Sequence, residues 1–305
     1  MTIDRRPLAL IACTSGNWAS AKRPEMNPWG YSNWLRTPDP VAALFNTTEQ
    51  VLAMGFHAVW KGLIGTGVGQ DQTGAYPAMF PQIKTDLEAR LPAKIAEWKA
   101  KYPKQRVGPY TGSKWGSKGP TSLVCEEDVN VGTYTCDTRT NESQAAFNTA
   151  NSQFIKMGCG ILSFDKGTHS TRVEGSRAAA NFCAGLDAVY GSDVWVITEA
   201  IQDGADELPM LARTEFIHKK GLPLNQQEGA NHGPLWDKVW PEGVANRYWW
   251  MQLDYGVPQA GRAAVDFIRE KADNGWVPTC AWPNLASEIA LVAATHPKLD
   301  WGNNA

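Results

Sequence analysis

The 305-residue sequence lacks the patterns that several large functional classes require. No apolar run approaches the roughly 18 residues that suggest a membrane span, so we expect no membrane partner. The net charge is -2, and Lys and Arg are scattered along the chain, which leaves no electrostatic footprint for nucleic acid. We therefore expect partners that are neutral or mildly polar.

Metal, cofactor and nucleophile motifs are missing as well. The six Cys and five His form no C-x-x-C, no H-x-H and no H-E-x-x-H, which argues against a zinc site. The glycines of GTGVGQ (65–70) have the wrong spacing for a dinucleotide fingerprint, and no G-x-S-x-G marks a serine hydrolase. We expect no metal and no cofactor. For Cys125 and Cys136 a disulfide and two free thiols both stay open, because nothing fixes the redox compartment.

The stretch RRPLALIACTSGNW (5–18) has two incompatible interpretations. Two arginines, an apolar run and a cysteine resemble an export signal of the lipoprotein type. A secretory signal needs about 7 to 15 apolar residues, whereas Pro7 to Ala12 supplies six at most. We therefore expect a buried strand that leads into a polar loop, and the compartment stays open between cytoplasm and virion.

Short apolar or β-branched runs that end in polar or Gly-rich turns recur along the chain. The eight runs are LALIA (8–12), HAVWKGLI (57–64), RVGPYT (106–111), GILSFD (160–165), VWVITEA (194–200), LPLNQQ (222–227), RYWWMQL (247–253) and WVPTCAW (276–282). Helical patterns lie between them, for example DPVAALFNTTEQVLAMG (39–55), which begins with Asp and Pro and closes on Gly, and DELPMLARTEFIHKKG (206–221). The link between the sixth and seventh runs has no persuasive helix.

Strands that alternate with helices indicate parallel pairing through right-handed crossovers. Eight such units predict a closed (β/α)8 barrel of the TIM type, an α/β fold, as a single domain over 1–305. An open, doubly wound sheet is the alternative, although its nucleotide fingerprint is missing. The largest interruption is an irregular Gly-, Ser- and Thr-rich insertion at 112–140, after the third strand.

Two acids are the candidate catalytic residues. Active sites of such barrels form at the carboxyl ends of the strands, where ILSFDKG places Asp165 and VWVITEA places Glu199. Adjacent strands lie about 4.8 Å apart, so mutual repulsion would raise the pKa of one acid and make an acid and a base, the pair that glycoside hydrolysis needs. The alternative is structural, since an acid after a strand also caps helices or pairs with a base such as Lys166 or Arg172.

The candidate substrate-binding residues are polar or aromatic and follow strand ends. They are Asn17, Trp18, Lys61, Trp115, Glu228, Gln252, Asp254 and Trp282. The count of 14 Trp is unusual, and flat sugar faces stack on indole rings, so carbohydrate is the expected partner. The alternative for any one Trp is that it fills a large loop. A Schiff base at Lys61, as in barrel aldolases, lacks the apolar pattern that would lower the pKa of a lysine.

On these features the sequence resembles the (β/α)8-barrel glycoside hydrolases as a broad superfamily. The resemblance rests on the eight-unit pattern, the strand-end acids of SFDKG and ITEA, and the Trp-rich loops. The D-x-x-D-x-D-x-E signature of chitinase-like barrels is absent, as is an Asn-Glu pair at the end of strand four, so no family's catalytic residues transfer. The resemblance implies a glycosidase, and the strand-end positions of Asp165 and Glu199 make these two acids its candidate catalytic pair.

Two other functions stay open. A non-catalytic barrel that binds glycans or proteins in a larger assembly, such as a virion or a cell surface, fits the missing catalytic motif and the long polar loops. An isomerase, lyase or aldolase on the same fold is the third possibility.

Overall fold

A computed structural model describes the chain in separate stretches. They are residues 4–12, 38–61, 80–112, 114–115, 125–128, 133–136, 154–165, 194–199, 216–220, 246–251 and 260–302. The helices in these stretches are all too short or too polar to cross a membrane.

The elements alternate along the chain as the sequence pattern predicts. In order they are β1 (Leu8–Ala12), α1 (Pro40–Ala53), β2 (His57–Lys61), α2 (Phe80–Lys101), β3 (Val107–Gly112), β4 (Lys114–Trp115), β5 (Cys125–Asp128), β6 (Thr133–Cys136), β7 (Ile161–Asp165), β8 (Trp195–Glu199), β9 (Phe216–Lys220), β10 (Asn246–Met251), α3 (Gly261–Asp273), β11 (Trp276–Ala281) and α4 (Ala286–Ala293).

Eight of these strands close into a parallel barrel. Their order is β1-β2-β3-β7-β8-β9-β10-β11, and β11 pairs back onto β1, with Leu8 level with Thr279. Every pair in the ring is parallel. The closed barrel predicted from the sequence is therefore confirmed, and the open-sheet alternative is wrong.

The sixth barrel strand is not where the sequence prediction put it. The prediction placed that strand at 222–227 and assigned Phe216–Lys220 to the end of a helix, but Phe216–Lys220 is β9 and fills the sixth place in the barrel. FIHKKG ends with two lysines and a glycine. Basic residues in the last turn followed by glycine are typical of the end of a helix, which explains the wrong prediction. The aromatic and β-branched residues at the start of FIHKKG suit a strand. Residues 222–227 lie outside the described stretches.

The predicted insertion after the third strand contains a small sheet of its own. β4, β5 and β6 form an antiparallel sheet in the order β4-β6-β5, separate from the barrel. In the β5–β6 pair, Cys125 lies directly opposite Cys136. The link at 228–245, where the sequence predicts no helix, lies outside the described stretches.

Helices α1 and α2 cover the outer face of β2. Trp60 is fully buried, and its indole N–H donates a hydrogen bond of 2.9 Å to the hydroxyl of Thr48 on α1. On α2, Leu91, Ile95 and Trp98 recur at spacings of four and three residues, and all three are buried. This spacing turns one apolar stripe of the helix toward the barrel, so Trp60 lies on the outer face of the sheet.

A buried polar cluster closes the amino-terminal end of the barrel. The Nδ1 atom of His57 accepts a hydrogen bond of 2.9 Å from the backbone N–H of Arg106, and its Nε2 atom lies 3.4 Å from Oδ1 of Asp4. Arg6 is 2% exposed, and its Nε atom lies 3.5 Å from Oδ2 of Asp4. The guanidinium of Arg6 also donates to the carbonyl of Gly302. These contacts tie the segment before β1 to the segment after α4.

Candidate active site

Two side-chain contacts establish which strand residues share the inner face of the barrel. His57 begins β2 and Trp195 begins β8, three strands further round, and their ring centroids lie 5.0 Å apart, so this contact crosses the barrel interior. Trp60, by contrast, lies on the outer face. Because strand residues alternate between faces, Lys61 shares the inner face with His57, and Glu199 shares it with Trp195.

The two predicted catalytic acids occupy adjacent positions on that inner face. Asp165 is the last residue of β7, and Glu199 is the last residue of β8. The parallel register pairs Phe164 with Thr198, so the next step along both strands brings Asp165 level with Glu199. Neighbouring strands are about 4.8 Å apart, so the acids are lateral neighbours at the carboxyl edge of the barrel.

The same register continues across five consecutive barrel strands. Gly112 of β3 pairs with Asp165, Glu199 pairs with His218 of β9, and His218 pairs with Tyr248 of β10. Directly paired residues of parallel strands lie on one face of a sheet, so all five lie on the inner face. We call Gly112, Asp165, Glu199, His218 and Tyr248 the edge row.

Three members of the edge row were not predicted from the sequence: Gly112, which has no side chain, and two functional residues, His218 and Tyr248. His218 was hidden because its strand was predicted as the end of a helix. Tyr248 was passed over because only the residues that close each strand were considered, and β10 continues to Met251. Finding either residue requires the register between strands, which no pattern within one strand contains.

Three other predicted site residues fall in the described stretches. Lys61 closes β2 and pairs with Tyr110, which places it on the inner face one row below the edge row. Trp115 ends β4 in the small sheet of the insertion. Trp282 directly follows β11, and its partly buried ring packs edge-on against Phe56, with ring centroids 6.2 Å apart.

The remaining predicted substrate-binding residues lie outside the described stretches. They are Asn17, Trp18, Glu228, Gln252 and Asp254. The position of Glu228 relative to its strand needs a correction, because the prediction put it directly after the sixth strand, whereas β9 ends at Lys220. β10 ends at Met251, one residue before Gln252.

Two buried cysteines in the described stretches are poorly suited to act as nucleophiles. Cys159 and Cys280 carry free thiols that are fully buried, and burial raises the pKa of both well above the ordinary value. A buried, protonated thiol is a poor nucleophile. Within the same stretches no cluster of three His, Cys, Asp or Glu side chains is placed to bind a metal ion.

A closed ring of eight parallel strands with a polar edge row defines a TIM-type (β/α)8 barrel. The chain is similar to the glycoside hydrolase domain of PelA from Pseudomonas aeruginosa, with 12% identity, a TM-score of 0.50 and coverage of 92% of this chain and 98% of that one. It is also similar to the isomalto-dextranase of Arthrobacter globiformis T6 solved with panose, with 11% identity, a TM-score of 0.54 and coverage of 95% and 55%.

A third similar structure is the alpha-galactosidase of Thermus thermophilus solved with p-nitrophenyl alpha-D-galactopyranoside. Identity is 10%, the TM-score is 0.50, and the match covers 92% of this chain and 58% of that one. The chain thus spans little more than half the length of the last two enzymes. No protein-family model and no curated protein matches the chain. The predicted resemblance to (β/α)8-barrel glycoside hydrolases is confirmed at the level of the fold.

Proposed function

We propose that the chain is a glycosidase in which Asp165 and Glu199 form the catalytic carboxylate pair. The observation that carries this proposal is that the two acids are level with each other on one face, at the carboxyl ends of neighbouring barrel strands. Active sites of TIM-type barrels form at that end of the strands. The glycoside hydrolases among the fold neighbours support the same substrate class.

The proposed reaction is hydrolysis with retention of the anomeric configuration. One carboxylate attacks the anomeric carbon while the leaving oxygen takes the proton of the other carboxyl group. Water then attacks the same carbon, gives a proton to the second group and frees the first. Retaining pairs are about 5 to 5.5 Å apart and inverting pairs about 6.5 to 9.5 Å apart. Lateral neighbours on adjacent strands favour the shorter separation.

We propose a carbohydrate as the substrate and the other predicted residues as its contacts. These contacts are Asn17, Trp18, Lys61, Trp115, Glu228, Gln252 and Asp254. We leave out Trp282, because its ring packs against the buried Phe56 on the outer side of the barrel. Gly112 has no side chain and is the lateral neighbour of Asp165, so a sugar ring could approach that acid from the β3 side. Trp115 belongs to the insertion sheet, which we propose as one wall of the cleft.

The test is sugar release from a panel of polysaccharides by the parent protein, Asp165→Asn and Glu199→Gln. Asp266→Asn on helix α3 is the matched control, because Asp266 is an exposed acid on an outer helix, paired with Arg262. We expect each catalytic variant to release sugar about 10² to 10⁴ times more slowly than the parent. The control should match the parent, and proton NMR of the first product should show the anomer of the substrate.

Two outcomes would contradict the proposal. If the parent releases sugar and both variants release it at the same rate, then Asp165 and Glu199 are not the catalytic residues. Polysaccharide binding by every sample, with no sugar released from any polymer of the panel, would instead favour the non-catalytic barrel of a larger assembly.

A further inference from the structure

We propose that His218 is a positioning residue that makes Asp165 the proton donor of the acid pair and keeps Glu199 ionised. This inference rests on the proposed function, because it assigns the two roles that glycoside hydrolysis requires. It follows from the order of residues in the edge row, in which the two acids have different lateral neighbours.

Asp165 has no cationic neighbour in the edge row, and Lys61, on the same face, lies two strands away on β2 and one row lower. The lateral neighbours of Asp165 are Gly112 on β3 and Glu199 on β8. A neighbouring carboxylate disfavours ionisation, and glycine adds no charge that could offset it. The expected result is a raised pKa for Asp165, which suits a group that must hold a proton until the leaving oxygen takes it.

Glu199 lies between an acid and a base. On one side is Asp165, and on the other side is His218, with which it pairs directly in the parallel register of β8 and β9. A protonated imidazole at the next lateral position favours the ionised carboxylate and opposes the effect of Asp165. Two acids whose surroundings push their pKa values apart acquire different roles in one reaction.

Of the two lateral neighbours of His218 in the edge row, only Glu199 is an acid. On the other side, β10 contributes Tyr248, a phenol that is neutral at the pH where carboxylates titrate. Within β9, Lys220 lies on the same face as His218 one step further along, and its charge adds to the positive side of the row. Lys219 lies on the opposite face and pairs with Trp249.

The assignment fixes the direction of each proton transfer. The carboxylate of Glu199 forms a bond to the anomeric carbon, and the bond to the leaving oxygen breaks as that oxygen takes the proton of Asp165. In the second step the carboxylate of Asp165 accepts a proton from water, and the oxygen of that water displaces Glu199 from the anomeric carbon. His218 keeps its own proton throughout and acts through its charge.

The first test is an NMR titration of the Glu199 side-chain carboxyl carbon without substrate. Protein labelled with ¹³C-glutamate is titrated as the parent, His218→Gln, His218→Lys and Lys219→Gln, and the signal is assigned by its loss in Glu199→Gln. We expect His218→Gln to raise the midpoint of Glu199 by about one pH unit, because an adjacent opposite charge shifts a carboxyl by that order. His218→Lys should restore the parent midpoint. Lys219→Gln removes a cation from the opposite face and should leave the midpoint near that of the parent.

A reciprocal measurement covers the case in which His218→Gln does not fold. Coupling between two groups acts equally on both, so Glu199→Gln should lower the midpoint of the His218 ring signals by a similar amount. Equal Glu199 midpoints in the parent, His218→Gln and His218→Lys would overturn the inference. So would a His218 midpoint that does not move in Glu199→Gln.

These titrations separate this inference from the proposed function. If His218→Gln shifts the Glu199 midpoint but the protein cleaves no polysaccharide, the coupling between His218 and Glu199 is supported and the proposed glycosidase activity is contradicted. In an active protein, His218→Gln should move the acid limb of the kcat/KM profile upward by the same amount as the Glu199 midpoint. A uniform loss of rate at all pH values, with no shift of the limb, would reduce His218 to a structural residue and overturn the inference.

Discussion

The Nε2 atom of His57 lies 3.4 Å from Oδ1 of Asp4 in the cluster that closes the amino-terminal end of the barrel. This distance exceeds that of an ordinary hydrogen bond, so the contact is mainly electrostatic. Burial lowers the pKa of His57 below its usual value of 6.5, and the charges of Arg6 and Arg106 act in the same direction. The carboxylate of Asp4 raises the pKa of His57, but the effect of burial is larger, so the ring is neutral in the folded protein.

The first prediction follows from this neutral imidazole. Below about pH 6.5 the unfolded chain binds a proton at His57 that the folded chain does not bind, so unfolding becomes easier as the pH falls toward the folded pKa. The free energy of unfolding should fall by up to about 1.4 kcal/mol per pH unit from this residue. The pKa of Asp4 is also lowered, from 3.8, so its own contribution is lost only at more acidic pH. Urea unfolding between pH 5 and 8 measures the slope.

The matched variant for this prediction is His57→Asn. The amide oxygen of Asn can accept the hydrogen bond from the Arg106 backbone N–H that His57 accepts at 2.9 Å, but it does not titrate. The variant should be less stable than the parent at pH 8 and should show a flatter dependence below pH 6.5. Parallel curves for the two proteins would disprove the assignment of this slope to His57.

The second prediction concerns the hydrogen bond between barrel and helix at Trp60. Its indole N–H donates to the hydroxyl of Thr48 at 2.9 Å, and that hydroxyl donates to the carbonyl of Leu44 at 2.8 Å, all in buried surroundings. Thr48→Val keeps the shape but leaves the indole N–H without an acceptor, so it should lower the free energy of unfolding by about 1 to 3 kcal/mol. Thr48→Ser keeps the hydroxyl and should cost less. Equal losses for Val and Ser would show that packing, and not the hydrogen bond, stabilises this contact.

The third prediction concerns Gly108 on β3, which has no room for a side chain beside β7. A Cβ atom on Gly108 would lie 1.9 Å from the carbonyl oxygen of Ile161, and a backbone atom cannot move aside as the end of a side chain can. Gly108→Ala should therefore cost at least about 3 kcal/mol or prevent folding, the upper range for overpacking.

Gly160→Ala is the control for that substitution, because a Cβ atom there would lie 3.5 Å from its nearest neighbour, the Arg106 side chain. Far-UV circular dichroism and thermal melting should show a near-native Gly160→Ala and a strongly destabilised Gly108→Ala. Native melting of Gly108→Ala would mean that β3 and β7 are further apart than described.

The fourth prediction is a disulfide between Cys125 and Cys136 that links β5 to β6 in the insertion sheet. Cys125 and Cys136 are directly opposed in the antiparallel β5–β6 pair, where the Cα atoms of opposed residues lie about 4.5 to 5.5 Å apart. Disulfides span Cα separations of about 4.4 to 6.8 Å, so the bond can form without moving the strands. Peptide mapping without reductant, on protein made in an oxidising compartment, should recover the two cysteines as one linked species.

Cys159 and Cys280 are the internal control for the mapping, because both are free and buried. They should react with iodoacetamide only after denaturation. Reductant should lower the melting temperature of the parent but not that of the double variant Cys125→Ser, Cys136→Ser. Free, alkylated Cys125 and Cys136 in protein made under oxidising conditions would contradict the prediction.

The sequence predicts individual strands well where the local signals agree. LALIA forms β1 over the predicted residues, and the Asp-Pro start and Gly end of the next segment give α1, in which Asp39 accepts a hydrogen bond of 2.8 Å from the N–H of Ala42. The prediction of β9 fails because FIHKKG carries end signals of a helix on residues that the barrel uses as a strand. Closure of the ring outweighs that local preference, since an open edge between β8 and β10 would leave backbone groups unpaired.

For the candidate site, the sequence predicts which residues end the strands but not which residues of different strands lie side by side. The apolar runs before Asp165 and Glu199 predict that these acids close two neighbouring strands, and both acids are the last residues of their strands. That His218 is level with Glu199 depends on how far one strand has shifted against the next. This shift is set by the tilt and stagger of the whole barrel, which is a property of all eight strands together.

The pairing of β1 with β11 also governs when the molecule can assemble. Leu8 is synthesised long before its partner Thr279, because the two residues lie far apart along the chain. Until β11 has been made, the edges of β1 and β10 that pair with it are open. Open strand edges can pair with strands of other chains. Contacts so distant along the chain slow folding, so the two open edges are exposed to such pairing for longer than the edges of strands with near neighbours in sequence.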